Sequence, residues 1–386
     1  MKREYFLKHK NTIVFPCTFD DETNRLVNSG KIDAVELLPI GVGRVGNSIN
    51  KKMFARWLEE RQIPNTRYGF KELLERIGVD NASELMLKNL GLNMTDHYWL
   101  CPAERNLKWE EINFFENDFS VEIDTVLLKR DYVQVGDTLD LNPAYTTSGN
   151  LAKAWMIEDG KAMLYKQGSH NYMQEPFNEV FASEMHKLNN CSNYVSYRLK
   201  NIDDIPYSVC ENFVDVKTEF VSARNILESV KKDNQISYLQ HFKNICLDHG
   251  IENVADEVDY MIATDYIIGN SDRHTNNFGI IRNAVTLEWI KLAPIFDSGN
   301  SLWFDLSTPR IDIKQDIKCN SFYQTQDTMI KHMESIPPNI RTEEIPFLLY
   351  DIFKQSADMS EERIRKIESG LTYRGRKYKN IVNEKD

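Results

Sequence analysis

The chain has 386 residues, 41% of them hydrophobic and 11% aromatic, with 17 Tyr, 19 Phe and 6 Trp. That much apolar side chain fills more than one core, so a disordered chain is excluded and two or three domains are expected. Lys and Arg number 47 against 58 Asp and Glu, a net charge of −11; this argues against a general binder of nucleic acid or anionic membrane, while a local basic groove stays open.

The first residues, MKREYFLKHKNTIVF, start basic but hold no apolar run of secretory length. The best apolar run, residues 266–269, falls far short of the roughly 20 residues of a membrane span. The six cysteines, at 17, 101, 191, 210, 246 and 319, form no C-x-x-C pair. They read as free thiols of a cytoplasmic protein rather than a zinc site or disulfide scaffold.

Residues 12–19 and 34–40 are strand-like. Residues 51–60, with Phe54, Trp57 and Leu58, and 70–77, with Leu73, Leu74 and Ile77, carry the i, i+3, i+4 spacing of helices. Residues 80–83 offer N-caps for a helix over 84–90, which Gly91 ends. These make a first block, 1–125. In a second block, 126–220, Thr147-Ser148-Gly149-Asn150 is a turn. Strands over 153–158 and 162–166 follow, joined by Asp159-Gly160, a type I′ hairpin signal. A helix over 178–188 and strands over 194–199 and 207–213 complete that block. The third block, 221–386, has helices over 238–249, 254–268 and 359–371, interrupted by a loop-rich stretch from 269 to 301. A β-rich layer with one helix thus precedes a larger helical body.

Gly41-Val42-Gly43-Arg44-Val45-Gly46 matches G-x-G-x-x-G. A dinucleotide fold also needs a second apolar strand ending in an acid. Glu59 and Glu60 lie at that distance, but inside a helical pattern, and Arg61-Gln62-Ile63-Pro64 follows. The run reads as a loop between elements.

The strong signal is Gly269-Asn270-Ser271-Asp272-Arg273-His274-Thr275-Asn276-Asn277-Phe278-Gly279, a polar loop between an apolar helix and a strand. Asp272 supplies a carboxylate base, and Asn277 a neutral oxygen for a hard cation. Further on, Phe296-Asp297-Ser298-Gly299 sets a second carboxylate in a turn. Asp, Asn, Ser and Gly populate turns anyway, and for Asp272 or Asn277 alone a turn is sufficient explanation. Together they suit phosphoryl transfer, because Mg²⁺ takes only one or two protein ligands beside water and phosphate. His274 reads as ordering the loop. Arg273 is left open between pairing a carboxylate and holding a phosphate.

A cation for the nucleotide phosphates is offered by Lys166, at the end of the apolar strand Ala-Met-Leu-Tyr-Lys. Its acidic partner comes from the next helix, where Glu179 and Glu184 cannot face the same way; Glu179 is favoured. The Ser148-Gly149 turn would cover phosphates with backbone N–H groups; Lys153 just after it reads as an exposed residue, with contact to phosphate as the alternative. Residues 209–213 would join the two lobes, with backbone groups of Glu211 and Phe213 facing the base. Walker A, H-E-x-x-H and G-x-S-x-G are missing from the sequence.

The order Asp272-Arg273-His274-x-x-Asn277-Phe278, then Phe296-Asp297-x-Gly299, with Ser148-Gly149-x-x-x-Lys153 before them, resembles the HipA-like bacterial serine/threonine kinases over about 130–380. The resemblance implies an α+β, two-lobed, protein-kinase-like fold: a β-rich N-lobe, a mainly helical C-lobe and an extra α/β N-terminal region. It implies Asp272 as catalytic base, Asn277 and Asp297 as Mg²⁺ ligands, and Lys166 on the phosphates of ATP. Family members act as toxin–antitoxin kinases, pair with a small DNA-binding antitoxin and autophosphorylate near the Ser-Gly turn, where Ser148 or Thr146 is the candidate. The expected substrate is a protein, with an antitoxin-like partner and neither membrane nor direct nucleic-acid contact. The first 125 residues do not look like the toxin's N-terminal domain, and D-R-H in place of H-R-D keeps a lipid or small-molecule acceptor open.

Overall fold

The computed structural model describes residues 2–67, 70–119, 141–147, 151–169, 172–337 and 340–384. The chain opens with a hairpin, β1 (Lys2–His9) and β2 (Thr12–Asp20), whose inward residues include Tyr5, Leu7, Phe15 and Cys17. β3 (Leu26–Ser29) extends it on one side. Residues 34–40, expected as a strand, make only a 3-10 turn at Val35–Leu37. Val35 stays exposed and Pro39 has no N–H to give to a ladder. The glycine run forms the small hairpin β4 (Arg44–Val45) and β5 (Ser48–Ile49), turning at Gly46 with φ +62.

Asn50 then caps α1 (Lys51–Glu59) through its side chain, and Phe54, Trp57 and Leu58 pack on the sheet. α2 (Phe70–Ile77) and α3 (Ala82–Lys88), the latter capped by Asn81, follow. β6 (Tyr98–Pro102) returns to close the first sheet in the order β3-β2-β1-β6, and α4 (Trp109–Ile112) covers its end.

The second sheet has the order β7-β8-β10-β9, all antiparallel: β7 (Lys153–Glu158), β8 (Lys161–Gln167), β9 (Arg198–Ile202) and β10 (Ile205–Glu211). α5 (Glu175–Leu188) lies across it. Only a single bridge, Tyr194 to Ile295, stands where the strand over 194–199 was expected to begin. A third sheet, β11 (Thr218–Ser222), β12 (Gly279–Asn283) and β13 (Trp289–Leu292), sits on the helical body. That body holds α6 (Ala223–Ser229), α7 (Tyr238–Asp248), α8 (Val254–Ile268), α9 (Gln326–Lys331), α10 (Ile345–Phe353) and α11 (Glu361–Asn383).

α8 is the centre of the largest core and is buried on nearly every face. Its polar residues survive there because each is partnered: Asp259 takes Lys243 at 2.9 Å and two backbone N–H groups at 2.8 Å. α11 runs well past the expected end at 371. Gly370, a helix-weakening residue by about 1 kcal/mol, belongs inside it because a Cβ there would overlap the Trp303 ring.

A buried carboxylate helps to join the N-terminal sheet to the body. Glu219 on β11 accepts from His9 Nε2 at 2.7 Å, from His97 Nδ1 at 3.1 Å and from His97 N–H at 3.0 Å, all on Oε1. Arg282 of β12 donates through Nε to Oε2 at 2.7 Å and reaches the Tyr98 hydroxyl at 2.9 Å. Burial opposes the Glu219 charge, but Arg282 and the two imidazoles outweigh it and hold the carboxyl well below the usual range. Two His and a Glu this close could hold a cation; both oxygens of Glu219 already accept N–H donors, so the carboxylate is satisfied without one.

All six cysteines are free, and every one but Cys191 is buried. No helix among the described residues is long and apolar enough to cross a membrane.

Candidate active site

The second sheet delivers two amines to one place. Asp159 (φ +50) and Gly160 (φ +74) make the turn of the β7–β8 hairpin, and its register sets Lys153 directly opposite Lys166. Cross-strand partners share a face, so both side chains enter the cleft together.

Lys166 is buried, and its Nζ pairs with Glu179 of α5 and with Asp297 Oδ1, the latter at 2.5 Å. Glu179, also buried, accepts from the Ser298 N–H at 2.8 Å through its second oxygen. Glu184 points outward and, among the described residues, pairs only with Lys187 of its own helix, at 3.4 Å. Burial works against the Lys166 charge, but Asp297 and Glu179 more than offset it, so the amine is held above its ordinary pKa. For Glu179 burial dominates and pushes the carboxyl up, against Lys166. Asp297 goes the other way: burial is outweighed by Lys166 and Lys153, and its carboxyl lies well below the usual range. Lys153 is half-buried, and that desolvation brings it down to about 8, partly countered by Asp297.

The opposite wall comes from the helical body. α8 ends in Gly269, left-handed at φ +65, as a helix C-terminus favours. The chain then turns back through Asp272 and Asn277. Arg273 faces inward, 1% exposed. Its Nε donates to Asp265 Oδ2 at 2.8 Å and its two terminal nitrogens to the Asn277 carbonyl and Ser298 Oγ, both at 3.0 Å; it also bonds the Phe296 carbonyl. The open alternative is thereby decided: Arg273 pairs a carboxylate and fastens both loops from beneath. His274 lends Nδ1 to the Asn276 N–H at 3.2 Å, ordering the loop.

Asn277 donates through Nδ2 to the Asp272 carbonyl at 3.1 Å, which leaves its amide oxygen for another partner. Asp297 sits at φ +57, a left-handed conformation that Asp tolerates better than most residues. The Asp272 carboxylate accepts from Asn300 Nδ2 at 2.9 Å.

Between these walls lies a cavity of about 330 Å³. Lys153, Lys166, Asn277 and Asp297 line it at one end and Glu211, Asn212 and Phe213 at another. The Glu211 carboxylate turns away to Lys161 at 2.8 Å, so backbone is what this segment can offer inward. Phe213 packs edge-to-face on Phe220 and tilted against Phe296. Glu179 stands behind Lys166, and Asp272 lies off the lining. Ser148 and Gly149 lie outside the described residues. Thr146 is buried, with its hydroxyl given to the Leu92 carbonyl at 2.5 Å, so it is no phosphate acceptor in this conformation.

Sequence reasoning missed a third wall. Trp57, Arg61 and Asp96 of the N-terminal region also line the cavity. The segment carrying Asp96 is sewn to the cleft: Asn212 Nδ2 bonds the Met94 carbonyl at 3.1 Å and Phe220 N–H the Thr95 carbonyl at 2.8 Å. Trp57 and Arg61, four apart, stack with the guanidinium 3.8 Å from the ring centroid. That spacing was the one signal available.

The donor set fits a hard cation. Asn277 and Asp297 offer a neutral and an anionic oxygen beside two amines, the complement of a magnesium-bound polyphosphate.

No family model matches this chain, nor does any curated protein. Solved structures do. The Helicobacter pylori proinflammatory kinase CtkA aligns with 61% of this chain and 95% of its own, at 17% identity and a TM-score of 0.49. HipA of Shewanella oneidensis MR-1, solved with HipB and operator DNA, aligns over 98% of both chains at 12% identity and a TM-score of 0.58. The alignment with HipA takes in the N-terminal sheet, which the sequence had set apart. The chain is a mixed α+β protein with the HipA-like kinase fold.

Proposed function

We propose that this chain is an ATP- and Mg²⁺-dependent protein kinase, transferring the γ-phosphate of ATP to a serine or threonine hydroxyl. The observation that carries the reading is Lys166, held between Glu179 and Asp297 at the wall of a cleft that Asn277 also lines. Asp272 takes the acceptor hydroxyl's proton as that oxygen bonds to the γ-phosphorus. The bond from γ-phosphorus to the β–γ bridging oxygen breaks, and ADP leaves. Lys166, kept in place by Glu179, contacts the phosphates, and Lys153 adds a second cation. Asn277 and Asp297 would hold Mg²⁺, which when bound would neutralise charge on the transferring phosphoryl group. Backbone groups of Glu211 and Phe213 meet the adenine.

The fold likeness to a HipA crystallised with HipB supports an antitoxin-like protein partner, and the free cysteines support a cytoplasmic site of action.

The test is incubation of the full chain with γ-labelled ATP and Mg²⁺, alone and with cell lysate. Asp272→Ala and Asp297→Ala should each reduce transfer by about 10²-fold or more. Near-normal transfer in either variant overturns the assignment. Nucleotide binding without transfer by the unsubstituted chain would instead indicate a nucleotide-binding regulator, and label confined to lipid or small molecules a different acceptor class.

A further inference from the structure

Nothing in the sequence singled out Asn300, the residue after the Phe-Asp-Ser-Gly turn. Its side-chain amide donates to Asp272 Oδ2 at 2.9 Å, and among the described residues it is the carboxylate's one hydrogen-bond donor. Its backbone is held separately: the Asn300 carbonyl accepts from Ser271 N–H at 2.9 Å and from Ser271 Oγ at 3.0 Å. Asp272 is further pinned through its own N–H, which donates to Asn270 Oδ1 at 3.0 Å.

We infer that Asn300 is the positioning residue of the catalytic base, resting on the kinase reading above. An aspartate has two side-chain torsions, and the second is broad and loosely set. The Asn300 amide occupies one oxygen of Asp272 and so fixes the carboxylate plane. The other oxygen is left for the hydroxyl proton of the acceptor. The amide is a neutral donor, so it orients the carboxylate without protonating it, as a base requires. It also links the base to the turn that carries Asp297, so the proton acceptor and the anionic cation ligand share one frame. Asn300 does not line the cavity, which separates its effect from nucleotide binding.

The division between backbone and side chain makes the test clean. Asn300→Ala removes the amide and keeps the carbonyl that ties down Ser271. Asn300→Asp keeps the shape but sets a like charge against Asp272, which repels it. Both full-length variants are assayed with Mg-ATP and, as acceptors, casein and a degenerate Ser/Thr peptide library. The expected result is a fall in kcat of about 10- to 100-fold for Asn300→Ala and a larger fall for Asn300→Asp. The KM for ATP and the ATP-induced shift in melting temperature should stay within about twofold of the parent. Unchanged kcat in Asn300→Ala overturns the inference. So does a parallel loss of ATP binding, which would mean the residue merely supports the turn. If the parent chain itself transfers no phosphate to any of these acceptors, or Asp272→Ala transfers as well as the parent, the kinase reading is what has failed.

Discussion

Lys166 and Asp297 meet at 2.5 Å from opposite walls of the cleft, a strand amine and a loop carboxylate. The amine therefore stands against the carboxylate for which a cation-binding role is proposed above. Its other partner, Glu179, has no route to solvent.

Lys166→Met should abolish transfer and also weaken the fold, because it strands Glu179 as a buried carboxylate; removing one partner of such a pair costs about 3–5 kcal/mol. Lys166→Met with Glu179→Leu should recover much of that stability and none of the activity. Urea denaturation beside the transfer assay checks both. A single variant as stable as the parent would refute the pairing argument.

Lys153 is brought down to about 8 by burial, below an ordinary lysine. As pH rises through that value the free protein loses this charge, while its unfolded chain stays protonated to about 10.4. Apparent ATP affinity should decline from about pH 8 upward, and Lys153→Gln should flatten that decline. Calorimetric ATP titrations across pH 7–9.5 decide it; parallel slopes in the two proteins would remove Lys153 from the phosphate site.

Glu219→Gln should loosen the N-terminal sheet from the body by about 3–5 kcal/mol, since it leaves buried Arg282 without a counter-ion. The sign with pH follows from the depressed carboxyl. Its contribution is complete above the ordinary glutamate pKa and lost as pH falls below it. The stability gap between parent and variant should thus be full at pH 7 and shrink on acidification. A gap that grew toward low pH would contradict the assignment.

Gly370→Ala in α11 tests close packing alone. On an open helix the change would add stability, by about 1 kcal/mol. Against the Trp303 ring it should cost about 1–3 kcal/mol, read as a lower melting temperature. A stabilised variant would show that the ring moves aside freely.

What the sequence made legible was what local chemistry dictates. Asp159-Gly160 fixed a turn, the turn fixed a register, and the register set Lys153 opposite Lys166. Residues 254–268 read as a helix to the residue, because apolar residues recur through them up to the stop at Gly269. Arg273 could not be assigned because its partner, Asp265, sits on a helix whose burial only the tertiary fold creates. The Trp57–Arg61 wall was hidden for the same reason: docking of a separate sheet decides it, and no short-range pattern encodes docking. Residues 34–40 misled because apolar content there outweighed the lack of alternation. Asn300 had no motif to announce it.

Arg273 grips the Asn277 carbonyl, the Phe296 carbonyl and Ser298 from one buried point. Asp272, Asn277 and Asp297 are in effect bolted to a common chassis, whereas Lys166 rides on a different sheet. Any breathing of the fold should therefore part lysine from aspartate first and leave the lower floor undistorted; on the kinase reading proposed above, nucleotide would then leave without dismantling that floor.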